Sequence, residues 1–138
     1  MTQHQQHQQH QQQVSEFKSK SGVKRIYAAF LYSMQGFMTA WKSEHAFRQE
    51  LILAVPAMIV ALLLPVSALK KLALIAVLIL VLIVELINSA IEAVVDRISF
   101  ERHPLSKNAK DFGSAAVCLS LLLATITWTV IVLPLLVR

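Results

Sequence analysis

The chain has 138 residues, a formal net charge of +5 and a hydrophobic content of 56%, above the roughly 45–50% of soluble globular domains. The single cysteine, Cys118, excludes an intrachain disulfide. The apolar residues form three long segments and the basic residues flank them, as in proteins that meet anionic lipid. We therefore expect one all-α membrane domain and no nucleic-acid binding.

Residues 1–21 begin with the low-complexity stretch "MTQHQQHQQHQQQ", in which His4, His7 and His10 recur at every third position. Histidines in such a stretch can form a metal-binding tail. The polar composition favours a disordered extension whose histidines are incidental. We expect the membrane domain to begin at residue 22 and to run to residue 138.

Residues 22–48 have apolar side chains at three-to-four spacing, with charged residues between or beside them. This pattern is typical of an amphipathic helix that lies at the membrane surface; an ordinary helix facing a protein core is the alternative. The apolar positions are Val23, Ile26, Tyr27, Phe30, Leu31, Met34, Phe37, Met38 and Trp41.

Three later segments are long enough to cross a bilayer, which takes about 20 mostly apolar residues. We place them at about 50–69, 72–98 and 112–136. Pro56 lies inside the first, where neighbouring helices can compensate for the lost hydrogen bond. A tight connection at 65–71 and a longer polar connection at 99–113 join the spans.

The basic residues predict the orientation. Ten of the 13 lie in the N-terminal region or in the second connection, which three spans place on the same side of the membrane. Lys70, Lys71 and Arg138 remain for the other side. Because basic residues accumulate on the cytoplasmic side, we expect a cytoplasmic N-terminus.

In the stretch "VELINSAIEAVVDR" at 84–97, Glu85 follows 13 residues without a charge. The polar positions of this stretch, Glu85, Asn88, Ser89, Glu92 and Asp96, share one face of a helix. Such a helix is either leaving the membrane or building a site within it. A charge at the bilayer centre costs at least about 2.5–3.5 kcal/mol, which favours a function for Glu85. Glu92 and Asp96 could instead be interfacial, with Arg97 as a partner.

Acidic and basic residues from three segments are expected at this cytoplasmic interface, including Glu44, Glu50, Lys110 and Asp111. Carboxylates hold Mg²⁺, which bridges to substrate phosphates, and basic side chains neutralise those phosphates. This combination suits phosphoryl transfer. The chain has no Walker A sequence and only three glycines, so a nucleotide site would be built from helix side chains at the membrane surface.

The motif "VELINSAIEAVVDRI" resembles the signature of the prokaryotic diacylglycerol kinase family, approximately E-x-x-N-S/T-A-x-E-x-x-V-D. The stretches "RIYAAFLYS" at 25–33, "AWKSEHAFRQE" at 40–50 and "AKDFGSAAV" at 109–117 support the resemblance, which covers residues 22–135. It implies a homotrimer in the bacterial inner membrane, each protomer with a surface helix and three transmembrane helices. It further implies that a lipid hydroxyl is phosphorylated with MgATP.

The resemblance also implies roles for individual residues, in sites that are shared between protomers. Glu85 would be the general base, and Glu44 and Glu92 would hold Mg²⁺. Asn88 and Asp96 would complete the polar wall, which is the polar side of the active site on this helix. The residues expected at ATP are Arg25, Tyr32, Glu44, Glu92, Glu101, Arg102, His103, Lys110 and Asp111. Those expected at the lipid are Arg25, Trp41, Ala46, Phe47, Arg48, Gln49, Glu50, Glu85 and Ser114.

Three residues depart from the family pattern. Met34 stands where tryptophan is common, and Arg102 and Pro104 alter the loop expected near the adenine.

Four hypotheses differ in the acceptor lipid or in the function itself. "AFRQE" and "NSAIEAVVDRI" resemble the diacylglycerol branch of Gram-negative bacteria, and undecaprenol is the alternative acceptor. Buried carboxylates would also suit a small oligomeric channel or transporter lined by Glu85 and Glu92. A structural subunit of a larger complex is the fourth hypothesis.

Overall fold

A computed structural model describes residues 22–98 and 103–137. These residues form four α-helices: α1 (Gly22–Ser43), α2 (His45–Leu63), α3 (Ala68–Ile98) and α4 (Pro104–Leu136). The predicted all-helical class is confirmed. The chain divides into two compact units, Met1–Thr39 and Ala40–Arg138, and each is described by itself.

In the first unit the described residues, 22–39, belong to α1. The helix runs without interruption through Gly36, and Ser33 Oγ donates a hydrogen bond to the carbonyl oxygen of Ala29, 3.0 Å away. That bond holds the Ser33 hydroxyl against the preceding turn of its own helix, so the hydroxyl proton is not available to another acceptor. The surface position of this helix stays a prediction, and the Gln/His segment lies outside the described residues.

The chain leaves helical geometry at Glu44, which has φ −99° and ψ 112°. The first helix therefore ends at Ser43, where we expected it to continue to residue 48, and α2 begins at His45 instead of residue 50. Arg48 Nη1 donates to the carbonyl oxygens of Trp41 at 2.9 Å and Lys42 at 3.0 Å. Because the last carbonyls of a helix lack intrahelical donors, these bonds stabilise the end of α1.

Helices α2, α3 and α4 are long and apolar enough to cross a membrane. At 1.5 Å per residue, the 31 residues of α3 and 33 residues of α4 extend about 46 Å and 50 Å. A bilayer's hydrocarbon core is only about 30 Å thick, so both helices are long enough to extend beyond it. The predicted number of three spans is confirmed by length and composition.

The helix ends follow from proline and from side-chain caps. Helix α2 ends at Leu63, two residues before Pro65, because the residue before a proline is disfavoured in a helix. Lys71 Nζ donates to the Leu62 carbonyl oxygen at 2.6 Å and so satisfies one of the last carbonyls of the helix. Helix α4 begins at Pro104, eight residues before the expected start, because proline suits the first turn. His103 Nδ1 also accepts a hydrogen bond from the Leu105 amide at 3.2 Å.

In the second unit, α3 packs against both α2 and α4, and more extensively against α4. The buried residues of α2 and α4 are mostly small, which lets helix backbones approach closely in a membrane. Trp128 Nε1 joins α4 to α3 by donating to the Leu74 carbonyl oxygen at 3.2 Å. The buried residues are Phe47, Ala54 and Ala61 on α2, Leu74, Val81, Glu85 and Asn88 on α3, and Gly113, Ser120 and Ala124 on α4.

Candidate active site

Four polar residues form a line along α3: Glu85, Asn88, Glu92 and Asp96. Their spacing of three, four and four residues keeps them on one face over about 17 Å. Glu85 is 4% exposed and Asn88 9%, whereas Glu92 is half-buried and Asp96 is exposed. Glu85 and Asn88 continue the buried stripe of Leu74 and Val81, so the line runs from the helix interface towards the surface.

Three other carboxylates lie around Glu85: Glu44 between α1 and α2, Glu50 on α2 and Glu92 on α3. The carboxylate of Glu85 lies close enough to those of Glu92 and Glu44 for their negative charges to repel one another. The carboxylate of Glu50 is repelled by that of Glu85 in the same way. Within the described ranges, none of these four carboxylates forms an ion pair. Like charges in a partly desolvated place repel one another, so the cluster favours a positively charged partner.

Asn88 links this cluster to the interface with α4. Its Nδ2 donates to Glu92 Oε1 at 3.2 Å, while its Oδ1 is buried and has no hydrogen-bond partner among the described residues. That oxygen occupies the space in which a side chain at position 113 would begin, and the residue there is Gly113. Buried polar atoms without a partner are uncommon and call for an explanation.

The donor set of this cluster fits a magnesium ion. No three His, Cys, Asp or Glu side chains of residues 22–98 and 103–137 converge into a ready-made metal site. Mg²⁺ usually binds one or two carboxylates and completes its shell with waters and substrate phosphates. Glu44 and Glu92 supply such carboxylates, and the uncompensated negative charge around Glu85 favours a cation there.

The outer residues of the site are paired differently. Lys110 Nζ lies 2.6 Å from Asp96 Oδ1, across the interface of α3 and α4. Lys107 Nζ lies 2.5 Å from Asp111 Oδ2, one turn along α4. Lys110 and Asp111, both expected at ATP, thus have partners within the protein, and Lys107 is a partner that we did not anticipate.

The remaining residues expected at ATP are placed as follows. Arg25 and Tyr32 belong to the first unit and lie seven residues apart on α1, hence on one face of that helix. Glu101 and Arg102 lie outside the described residues. The ring of His103 caps α4. The structure therefore gathers the carboxylates and Asn88, and it brings Lys110 to Asp96.

The residues expected at the lipid lie in different environments. Phe47 is buried and Arg48 binds the end of α1, while Glu50 Oε2 is buried without a hydrogen-bond partner among the described residues. The others, Trp41, Ala46, Gln49 and Ser114, are exposed. Phe47 and Arg48 thus support the local fold, and Glu50 is the member with an unsatisfied polar atom.

Glu50 borders an apolar groove of about 410 Å³, a volume within the usual range of ligand pockets. Thr125 Oγ1 and Thr129 Oγ1 donate to carbonyls of their own helix at 2.8 Å and 2.7 Å, so these hydroxyls add little polarity. Side chains of all three long helices line the groove: Glu50, Leu53, Ala54, Ala57, Leu78, Val81, Leu121, Ala124, Thr125, Trp128 and Thr129.

Sequence reasoning missed Gly113 and most of the groove. Gly113 carried a signal, because it is one of only three glycines and lies within an otherwise helical segment. The groove carried none, since its residues are the aliphatic, alanine and threonine side chains found along any membrane helix. Which of them border a space depends on how the helices pack.

Comparisons with known proteins identify the family of the chain. The model of the family described as prokaryotic diacylglycerol kinase matches residues 31–132. A diacylglycerol kinase of Pseudomonas aeruginosa is 56% identical over 119 residues, covering 86% of this chain and 97% of the relative. The diacylglycerol kinase of Escherichia coli K12 is 49% identical over 111 residues, covering 80% and 91% respectively. This chain belongs to the prokaryotic diacylglycerol kinase family.

Proposed function

We propose that this protein transfers the γ-phosphoryl group of ATP to the hydroxyl of diacylglycerol in a bacterial inner membrane, in a magnesium-dependent reaction. Family membership and the names of its relatives make it a lipid kinase. The observation that carries the chemistry is the position of Glu85, which is buried beside Asn88 and close to the carboxylates of Glu44 and Glu92.

Glu85 acts as the general base. Its carboxylate accepts the proton of the lipid hydroxyl while the hydroxyl oxygen bonds to the γ-phosphorus, and the bond between that phosphorus and the oxygen of ADP breaks. The location on α3 suits this role, because the apolar residues before Glu85 belong to a helix that is long and apolar enough to cross a membrane. A base at this depth can meet a hydroxyl that stays attached to its membrane lipid.

Glu44 and Glu92 hold the metal, with Asn88 orienting Glu92 through its hydrogen bond. A magnesium ion held there would neutralise the negative charge that develops on the phosphates of ATP during the transfer. The four uncompensated carboxylates support this assignment, since they would repel the phosphates of ATP in the absence of a cation.

Lys110, Asp111 and His103, with Arg25, Tyr32, Glu101 and Arg102, contact ATP. Lys110 is half-buried and already lies against Asp96, so its ammonium group is held near the carboxylate line. Three N–H donors allow it to keep Asp96 and bind a phosphate oxygen at the same time. Asp96 thereby positions Lys110 while it completes the polar wall.

Trp41, Ser114 and the segment 46–50 line the access of the lipid, and the groove beside Glu50 accommodates its hydrocarbon chain. The groove supports this assignment because it is apolar, lies among three helices that could span a membrane, and is bordered by Glu50. Glu50 Oε2 has no hydrogen-bond partner among the described residues, so it is available to accept a hydrogen bond from the glycerol portion of the lipid.

The active protein is a homotrimer with shared sites and a cytoplasmic N-terminus, a proposal that rests on the family resemblance and on the distribution of basic residues. Subunit mixing tests the sharing: protomers carrying Glu85→Gln are combined with protomers carrying Arg25→Ala, since Arg25 does not belong to the cluster around Glu85. If sites are shared, some mixed trimers recover activity that neither variant has alone. If each protomer carries a complete site, no activity returns.

The deciding experiment measures transfer of labelled phosphate from ATP to lipid by purified protein in mixed micelles. Diacylglycerol and undecaprenol are offered separately, with and without Mg²⁺. We expect metal-dependent labelling of diacylglycerol. Labelling of undecaprenol alone would keep the chemistry and change the acceptor. If neither lipid is labelled by folded, oligomeric protein, ion flux in vesicles tests the channel hypothesis.

A further inference from the structure

We infer that Gly113 is a positioning residue for the active site, because its missing side chain makes room for the carbonyl group of Asn88 and so turns the Asn88 amide nitrogen towards Glu92. The inference rests on the proposed function only for the role of Glu92. The packing of Gly113 against Asn88 is a feature of the fold itself.

Gly113 lies inside α4, nine residues after its first residue, Pro104. Glycine lowers helix stability relative to alanine, so a glycine within a helix usually has a packing reason. Here the reason is visible: a Cβ at this position would overlap Asn88 Oδ1 and lie 3.2 Å from Asn88 Cγ. The overlap concerns the side-chain amide, since the backbone Cα of Asn88 would be 3.8 Å away.

The orientation of the amide matters because its two ends differ chemically. Nδ2 donates to the Glu92 carboxylate at 3.2 Å, whereas an oxygen in the same place would set two acceptors against each other. Oδ1 therefore needs a position away from Glu92, and the space above Gly113 provides it. Oδ1 has no other partner among the described residues, so its position is set by available space.

Alanine at position 113 would force the Asn88 amide to rotate. Rotation removes the donor from Glu92 and frees that carboxylate to change its direction. Residues that orient a metal-binding carboxylate typically affect metal affinity or activity by about 10–100-fold. Gly113 thus acts on the reaction through Asn88 and Glu92, without touching substrate.

A nuclear magnetic resonance experiment tests the packing without any activity measurement. The chain contains two asparagines, Asn88 and Asn108, so labelling asparagine with ¹⁵N gives two side-chain amide signals in micelles. We expect Gly113→Ala to shift the Asn88 signal as strongly as Glu92→Ala does, and to leave Asn108 in place. An unchanged Asn88 signal in Gly113→Ala would overturn the inference.

Metal binding provides the second readout, through the binding of Mn²⁺ in the presence of a non-hydrolysable ATP analogue and through the Mg²⁺ concentration for half-maximal rate. We expect Gly113→Ala and Asn88→Ala each to weaken Mn²⁺ binding about tenfold and to raise the Mg²⁺ concentration for half-maximal rate about tenfold. The double variant should show the same changes as Asn88→Ala alone. Independent, multiplying effects would show that Gly113 does not act through Asn88.

Gly36→Ala is the matched control. It makes the same chemical change within a helix, and a Cβ there would meet nothing within 4 Å among the described residues. We expect its metal dependence and both amide signals to equal those of the wild type. If Gly113→Ala fails to fold, the double variant Gly113→Ala with Asn88→Ala decides. Recovery of folding in the double variant supports the overlap between position 113 and Asn88. If the double variant also fails to fold, the inference is overturned.

A failed inference and a failed proposed function give different results. If the protein does not transfer phosphate at all, the amide signals still report whether Gly113 sets Asn88. If Gly113→Ala moves the Asn88 signal and leaves metal binding unchanged, the positioning role is overturned while the kinase proposal stands.

Discussion

Two groups of charged residues, one gathered around Glu85 and one formed between α3 and α4 and along α4, differ in how their charges are compensated. The inner group surrounds the buried Glu85 and contains Glu44, Glu50 and Glu92, none of which forms an ion pair within the described residues. The outer group consists of the two ion pairs Asp96–Lys110 and Lys107–Asp111, which are partly or largely exposed. The line of polar residues on α3 connects the two groups, because it runs from Glu85 in the inner group to Asp96 in the outer group.

The difference indicates which charges the fold satisfies and which it leaves for a ligand. An exposed ion pair in water contributes little to stability, and its members cost little when removed. Carboxylates that are buried or half-buried without a basic partner are unfavourable until a cation or a proton compensates their charge. The inner group therefore has the electrostatics of a cation-binding site, and changes there should affect the metal requirement far more than the loss of Lys107 from the outer group.

Glu85→Gln should have the largest effect. The amide keeps the size of the side chain but cannot accept the hydroxyl proton, so we expect kcat to fall by about 10²–10⁴-fold. Binding of MgATP should change little, because a base acts in the chemical step. Phosphate transfer and equilibrium binding of an ATP analogue measure the two properties separately. A variant with nearly normal kcat would remove Glu85 from the role of base.

Glu92→Gln should have the next largest effect, and of a different kind. Its carbonyl oxygen can still accept the hydrogen bond from Asn88, so the local packing is retained, but the negative charge towards the metal is lost. We expect the Mg²⁺ requirement to rise by at least about tenfold and excess Mg²⁺ to restore part of the rate. Glu85→Gln is the control, since its metal requirement should stay normal. Equal Mg²⁺ dependence in Glu92→Gln and wild type would exclude Glu92 as a ligand.

Ala57→Leu extends the comparison from the charges to the apolar groove. Ala57 lines the groove and is half-buried, so a leucine there should fill space meant for a hydrocarbon chain. We expect the preference for long-chain over short-chain diacylglycerol, measured as a ratio of kcat/KM values, to fall by about tenfold. Ala76→Leu, at an exposed position of α3 that does not line the groove, is the matched control. Identical chain-length profiles for the two variants would show that the groove holds no lipid chain.

Much of this architecture follows from sequence patterns that depend on near neighbours. The three long helices follow from apolar segments, and the line from Glu85 to Asp96 follows from helical spacing alone. The ends of helices were harder to predict. The start of α4 at Pro104 depends on the cap by His103, and the end of α1 depends on Arg48 binding carbonyls six and seven residues before it.

Contacts between helices were the least predictable part of the site. The approach of Gly113 to Asn88 and the pairing of Lys110 with Asp96 depend on the rotation of α4 against α3. Composition and periodicity identify which face of a helix is buried, but they do not determine which residues of two buried faces meet. The motif therefore located the carboxylates, and the packing of helices was needed to find what orients them.

Lys107→Ala should have the smallest effect and is the sharpest test of the contrast between the two groups. The Lys107 side chain is 76% exposed, and its partner Asp111 lies one turn away on the same helix. Such pairs contribute about 0.3–0.5 kcal/mol, so we expect little change in the free energy of unfolding in micelles or in the Mg²⁺ requirement. If Lys107→Ala raised that requirement as much as Glu92→Gln, the outer pairs would share in the metal site. An ion pair within the protein would then not show that a residue such as Lys107 lies outside the metal site.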